Sequence, residues 1–116
     1  IFVPKPDSDG LDIAGIRPLE IRVPLGTNVG WNIRAAGFRA PNLCGLNGSF
    51  IPFATTKTER LATGDPRKSV QERYKNHQGY VDAVKRATAK LVSDRFLLQE
   101  DADRLVSNAK ASSVLK

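Results

Sequence analysis

Pro66 is the last proline of this chain, and the stretch that follows carries apolar side chains at three- and four-residue steps. Proline inside a helix removes a backbone donor and clashes with the preceding turn, so its absence frees residues 67–116 for helix. Before residue 55 the chain is instead rich in Gly, Pro and Asn, with short apolar runs. The spacing therefore predicts a strand and loop segment over 1–55 and a helical segment over 56–116, together part of one domain.

Local signals give the helical segment its punctuation. Ser69 and Glu72 in SVQE have capping-box spacing and open a short helix through Tyr74. Asn76 is placed to cap the next helix, where Val81, Val84, Thr88, Leu91 and Val92 lay a stripe along one face. The acidic cluster Glu100, Asp101 and Asp103 suits the start of a last helix that buries Leu105, Val106 and Ala109. From Lys110 onward the tail is expected to fray.

In the first segment PDSDG (Pro6 to Gly10) is a turn signal, because Asp and Ser bond their own backbone and Gly accepts positive φ. LDIAGI (Leu11 to Ile16) and LEIRV (Leu19 to Val23) alternate apolar and polar residues as strands with one face covered do, and Pro18 and Pro24 restrict them to edge positions or irregular extended chain. The opening IFVP reads as the end of another strand, and Asn47-Gly48 as a tight turn. The chain starts at Ile1 and contains no Met, so a processed or partial product is expected.

The formal charge is +6, from 18 Lys plus Arg against 12 Asp plus Glu. Thirteen of the basic and eight of the acidic groups lie in 56–116, interleaved, which is the pattern of solvated helix faces. No RNA-binding, helix-turn-helix or zinc-finger pattern accompanies them, so no nucleic-acid partner is expected. A membrane partner is not expected either, for want of a long apolar run. Cys44 is the single cysteine, which excludes an intrachain disulfide and reads as a small buried hydrophobe. The compartment stays open; a secreted or periplasmic setting is compatible with these residues.

Catalytic and ligating sets are incomplete. A serine hydrolase needs a nucleophile, a base and oxyanion donors, and His77 is the sole histidine, placed among polar residues at a helix start. Ser49 in LNGSF does not stand in G-x-S-x-G and reads as a turn serine. Asp7, Asp9 and Asp12 lack the further ligands of a calcium loop, and GTNVG lacks the setting of a phosphate loop, so no metal or cofactor is expected. Attention falls on VPLGTNVGWNIRAAGF (Val23 to Phe38), which holds the one Trp. Packing as a core plug is the first expectation for Trp31 and ligand contact the second, with Arg34 and Arg39 available to tie the loop down.

Several stretches together resemble the C-terminal part of a large, mostly bacterial family of alpha/beta hydrolase domain-containing proteins. They are VPKPDSDG followed by AGIR, VPLGTNVGWNIR, LCGLNGSFIPFATTKTERLATGDPR, and SVQERYKNHQGYVDAVKRATAKLVSDRFLLQEDADRL, in family order and over almost the whole chain. Asn28 and Gly45 depart from the family pattern, in which these positions are usually aromatic and acidic. The resemblance implies an α/β fold, this chain being a C-terminal segment of an α/β-hydrolase-type architecture with three or so helices. It implies a serine esterase acting on a small-molecule ester, with the catalytic triad outside this chain and the isolated chain inactive. The implied partner is a larger N-terminal chain or the remainder of the same polypeptide. Trp31, Asn32 and Arg34 become the candidates for lining the active site. The alternative expectation is a noncatalytic basic helical module that docks on another protein.

Overall fold

A computed structural model describes residues 1–33, 36–37, 42–44 and 48–116. The element order is α1 (Leu19–Arg22), β1 (Gly26–Val29), β2 (Asn32–Ile33), β3 (Leu43–Cys44), β4 (Ser49–Pro52), α2 (Lys57–Ala62), α3 (Val70–Tyr74), α4 (His77–Ser93) and α5 (Gln99–Ala111). Among the described residues the strands form two antiparallel two-stranded ribbons, β1 with β4 and β2 with β3. In the first, Gly26 faces Pro52 and Val29 faces Ser49. A Cβ on Gly26 would stand 2.6 Å from both the Ile51 carbonyl oxygen and the Phe50 ring, so the close approach of β4 requires glycine there.

Side chains cap the starts of α2, α3 and α4. The Asn76 side chain accepts from the Gly79 amide at 2.9 Å and begins α4, which buries Val81, Val84, Thr88 and Leu91. Thr88 is tolerated inside because its hydroxyl donates to the Val84 carbonyl at 2.9 Å. At the far end, Arg95 takes φ 64° while the Phe96 amide bonds the Leu91 carbonyl and the Arg95 amide the Val92 carbonyl, a Schellman closure built without glycine. Ser69, fully buried, caps α3 in a capping box with Glu72, and Thr56 does the same for α2 with Glu59. The amides of Val70 and Gln71 donate to the carbonyls of Ala54 and Thr55, so the first turn of α3 leans on the chain leaving β4. Helix α5 starts at Leu98 without a side-chain cap, and Glu100 and Asp101 in its first turn face the positive end of its dipole.

The core forms where α4 meets α5 and α1. Val23, Val81, Val84 and Ala109 are buried together, with Leu19, Tyr74, Tyr80 and Val106 packed around them. The Tyr74 and Tyr80 rings meet edge to face at 5.4 Å.

Four expectations need correction, the last of them for the tail. LEIRV is one turn of helix, α1, because its alternation also places Leu19 and Val23 four residues apart, and both pack on the core from a single helical face. LDIAGI forms no strand; it makes one bridge, Asp12 to Pro6, while Ile13 and Ile16 are exposed and no neighbouring strand covers them. The opening IFVP is not strand either, and Ile1, Phe2 and Val3 stand in the open. The helical segment holds four helices, since α2 adds one to the three expected. The tail beyond Lys110 is tied down by the ring of His77, whose Nδ1 lies 2.7 Å from the Val114 carbonyl oxygen and Nε2 3.2 Å from that of Lys110. A neutral imidazole carries one N–H and donates to one of these carbonyls at a time.

Candidate functional site

The stretch from Val23 onward is anchored before it reaches Trp31. Asp7 makes an Asx-type turn, its Oδ1 accepting from the amides of Asp9 and Leu11 at 2.9 and 3.0 Å, which presents the Asp9 carbonyl to the Thr27 hydroxyl. Burial works against ionisation of Asp7, but those two amides and the Arg17 guanidinium outweigh it and hold the carboxyl below its ordinary range. Thr27 is buried, and its oxygen also accepts from Arg67 at 2.9 Å. Arg67 then reaches the Ile51 carbonyl at 2.9 Å, so one guanidinium fastens both strands of the β1–β4 ribbon. Arg73 forms a two-pronged pair with Asp9. Both arginines also lie over the buried Phe53 ring, with guanidinium carbons 5.1 Å (Arg67) and 4.0 Å (Arg73) from its centroid. The Tyr74 hydroxyl donates to the Pro24 carbonyl at 2.7 Å, and burial pushes that phenol well above its usual range, keeping it a donor.

Arg67 and Arg73 thus fasten the ribbon; Arg34 and Arg39, expected to tie the loop down, lie outside the described residues, as do Gly45 and Asn47. The PDSDG turn forms as expected, with the carboxylates of Asp7 and Asp9 engaged by Arg17 and Arg73.

Beside this anchored ribbon opens an apolar cleft of about 390 Å³, lined among others by Leu25, Asn28, Phe50, Tyr80, Val84 and Leu105. Burial raises the Tyr80 phenol as well, so it offers the cleft a proton rather than a charge. Trp31 follows β1 with 52% of its surface exposed. The core-plug expectation is therefore corrected for this chain: Trp31 is half exposed and takes no part in the cluster of Val23, Val81, Val84 and Ala109. The Trp31 carbonyl accepts from the Ser49 hydroxyl at 3.0 Å, so Ser49 heads β4 and pins the strand end instead of occupying a turn. Asn32 is exposed in β2, paired in register with Cys44. The structure brings Trp31 and Asn32 together by sequence adjacency, at the end of the ribbon whose Asn28 lines the cleft.

Nucleophilic chemistry needs a serine and a base in contact. Here His77 addresses two main-chain carbonyls, Ser49 a third, and the Ser69 hydroxyl the Glu72 carboxylate at 2.9 Å. Among the described residues no group of three or more His, Cys, Asp and Glu is placed to hold a metal. No helix of those residues is long and apolar enough to cross a membrane.

A second ionic knot braces the approach to α3. Arg60 grips both oxygens of Glu72 at 2.7 and 3.0 Å, and Arg67 grips Asp65. The Arg60 hydrogen bonds, then the Ser69 amide, hold the Glu72 carboxyl down at about 2; the Arg67 side chain and amide do the same for Asp65, also to about 2. Folded-state values below the unfolded ones mean that both carboxylates stabilise the fold above about pH 4.5, and that this stabilisation drains away as the pH falls toward 2. Urea midpoints should be level across the range above about pH 5 in the contribution of these two groups and fall below pH 4.5. The fall should shrink in Glu72→Gln, which has no carboxyl to protonate.

Neither a curated protein nor a solved structure matches the chain. A family model described as an alpha/beta hydrolase domain matches residues 3–107, which takes in the anchored ribbon, most of the cleft lining and most of α5. On that match the chain belongs to this alpha/beta hydrolase domain family.

Proposed function

We propose that the chain is the C-terminal portion of a serine esterase-like α/β hydrolase, completing its fold and lining its active site, with the catalytic triad supplied by a larger chain or by the preceding part of the same polypeptide. The observation that carries the reading is the family match over residues 3–107, joined to a histidine whose ring nitrogens face carbonyl oxygens instead of a serine hydroxyl. The exposed apolar side chains support it. Ile1, Phe2, Val3, Trp31, Phe50 and Ile51 all lie in the first segment, and a run of large apolar groups in water is what a surface made to be covered looks like. In this reading Trp31 and Asn32 face the substrate from the end of the β1–β4 ribbon, and Arg34, two residues further in sequence, is the third contact. Functional residues concentrate on such loops when a scaffold holds them, and Thr27, Arg67 and Phe53 are the scaffold here.

The test is esterase turnover with a p-nitrophenyl ester, together with fluorophosphonate labelling. The isolated chain should be inactive and unlabelled, and the assembly with the larger polypeptide active, its label mapping to a serine outside residues 1–116. In that assembly Trp31→Ala should lower turnover per folded molecule. A label on Ser49 or any other serine of this chain would overturn the assignment.

A further inference from the structure

On the face of α4 away from the cleft, Ala83, Arg86, Ala87 and Lys90 follow one another at steps of three and four and share one side of the helix. Across from them the chain entering α1 brings Arg17, and α1 itself brings Arg22. Together with Gly15 and Val23 these residues line a groove of about 630 Å³ that contains four cationic side chains and no carboxylate. The small side chains of Ala83 and Ala87 and the buried Val23 make its floor apolar.

The cations in this groove are only partly satisfied. Arg17 gives its Nη2 to Asp7 at 2.6 Å, but its Nε is the one buried side-chain polar atom among the described residues without a hydrogen-bond partner. Arg22, which lines the groove, donates from Nε to the Arg17 carbonyl at 2.6 Å, which leaves its terminal nitrogens without a hydrogen bond among the described residues. Lys90 pairs with Asp94 at 2.8 Å. Arg86 has no ion pair among the described residues. Two carboxylates therefore offset four cations, and the surplus is about that of a dianion. Proteins seldom leave a buried guanidinium nitrogen unpaired without a ligand or water to meet it.

We propose that this groove is a binding site for a phosphate-class oxyanion, such as a phosphate ester or diphosphate. Guanidinium groups match tetrahedral phosphate oxygens with paired donors, and an apolar floor strengthens each charge-assisted bond by lowering the local dielectric. The anion would take Arg22 and Arg86 at the groove surface, with the Arg17 guanidinium adding its charge from beneath. The inference rests on the groove between α1 and α4 and is independent of the hydrolase reading.

Inorganic pyrophosphate is the probe, titrated into the chain at fixed ionic strength and followed by amide chemical shifts. Shifts should concentrate in residues 15–23 and 83–90. Arg86→Ala should weaken the apparent Kd by about tenfold, as loss of one charge-assisted contact does. Lys85→Ala, on the neighbouring strip of α4 and paired with Asp82, should bind as the unsubstituted chain does. Arg86 is exposed, so the variant should keep the fold, which the unperturbed shifts of α5 would report. Equal affinity in Arg86→Ala, or the same shifts from sodium chloride, would overturn the site. Citrate binding as tightly as pyrophosphate would overturn the phosphate assignment.

Discussion

Replacing Arg73 with alanine should destabilise the chain by about 3 kcal/mol, read as the loss in urea midpoint at unchanged slope. The expectation comes from what this guanidinium holds at once. It closes a two-pronged pair with Asp9, whose side chain is 13% exposed, and it covers one face of the Phe53 ring at 4.0 Å. Removing it strands a largely buried carboxylate and uncovers a buried ring, and the first loss outweighs the second because an unpaired buried charge costs more than a lost cation–π contact. The pair spans 64 residues and joins the first turn of the chain to α3, so its loss should free the Asp9 carbonyl that anchors Thr27. Asp9→Ala on top of Arg73→Ala should therefore cost less than the sum, with a coupling above about 1 kcal/mol. Additive losses would mean that the pair is a surface decoration.

The second large effect runs against helix propensity. Gly79 is the third residue of α4, where alanine is ordinarily the better helix former by about 1 kcal/mol. A Cβ there would lie 1.9 Å from the Tyr74 carbonyl oxygen, at the end of α3, with the Asn76 cap also close. Backbone cannot yield at that distance, so Gly79→Ala should destabilise by about 2 to 3 kcal/mol, through overpacking at the α3–α4 junction. Because Tyr74 and Tyr80 meet just there, near-ultraviolet circular dichroism should change as well. A stabilised Gly79→Ala would show that α3 is held loosely against α4.

What could be read from the sequence was whatever acts over a few residues. The Ser69–Glu72 box, the Asn76 cap and the Val81–Val84–Thr88–Leu91 stripe each depend on i, i+3 and i+4 geometry and formed as spaced. The same box stands at Thr56–Glu59, but no apolar stripe follows it in the sequence, and α2 buries no residue. LEIRV shows the limit of periodicity in short windows: over five residues a two-residue alternation and a one-turn helix fit the same letters, and packing on α4 decided between them. The anchors of the candidate site were not legible at all. Thr27 and Arg67 stand 40 residues apart, and no local pattern marks a phenylalanine destined to lie beneath two arginines. His77 was legible as a helix-start residue, but its hold on the tail depends on where α5 ends.

These features bear on function through the ribbon. Arg67, Arg73 and Phe53 set the position of β1 and β4, these set the apolar cleft, and Trp31 stands exposed at the ribbon's end. In the proposed hydrolase that end meets the catalytic part of the molecule. The most direct measurement is the intact mass of every polypeptide that copurifies with this chain under nondenaturing conditions. The account predicts a larger partner carrying G-x-S-x-G, or a longer polypeptide ending in this sequence. A chain found folded and alone, with neither, would contradict it and leave the basic helical docking module in its place.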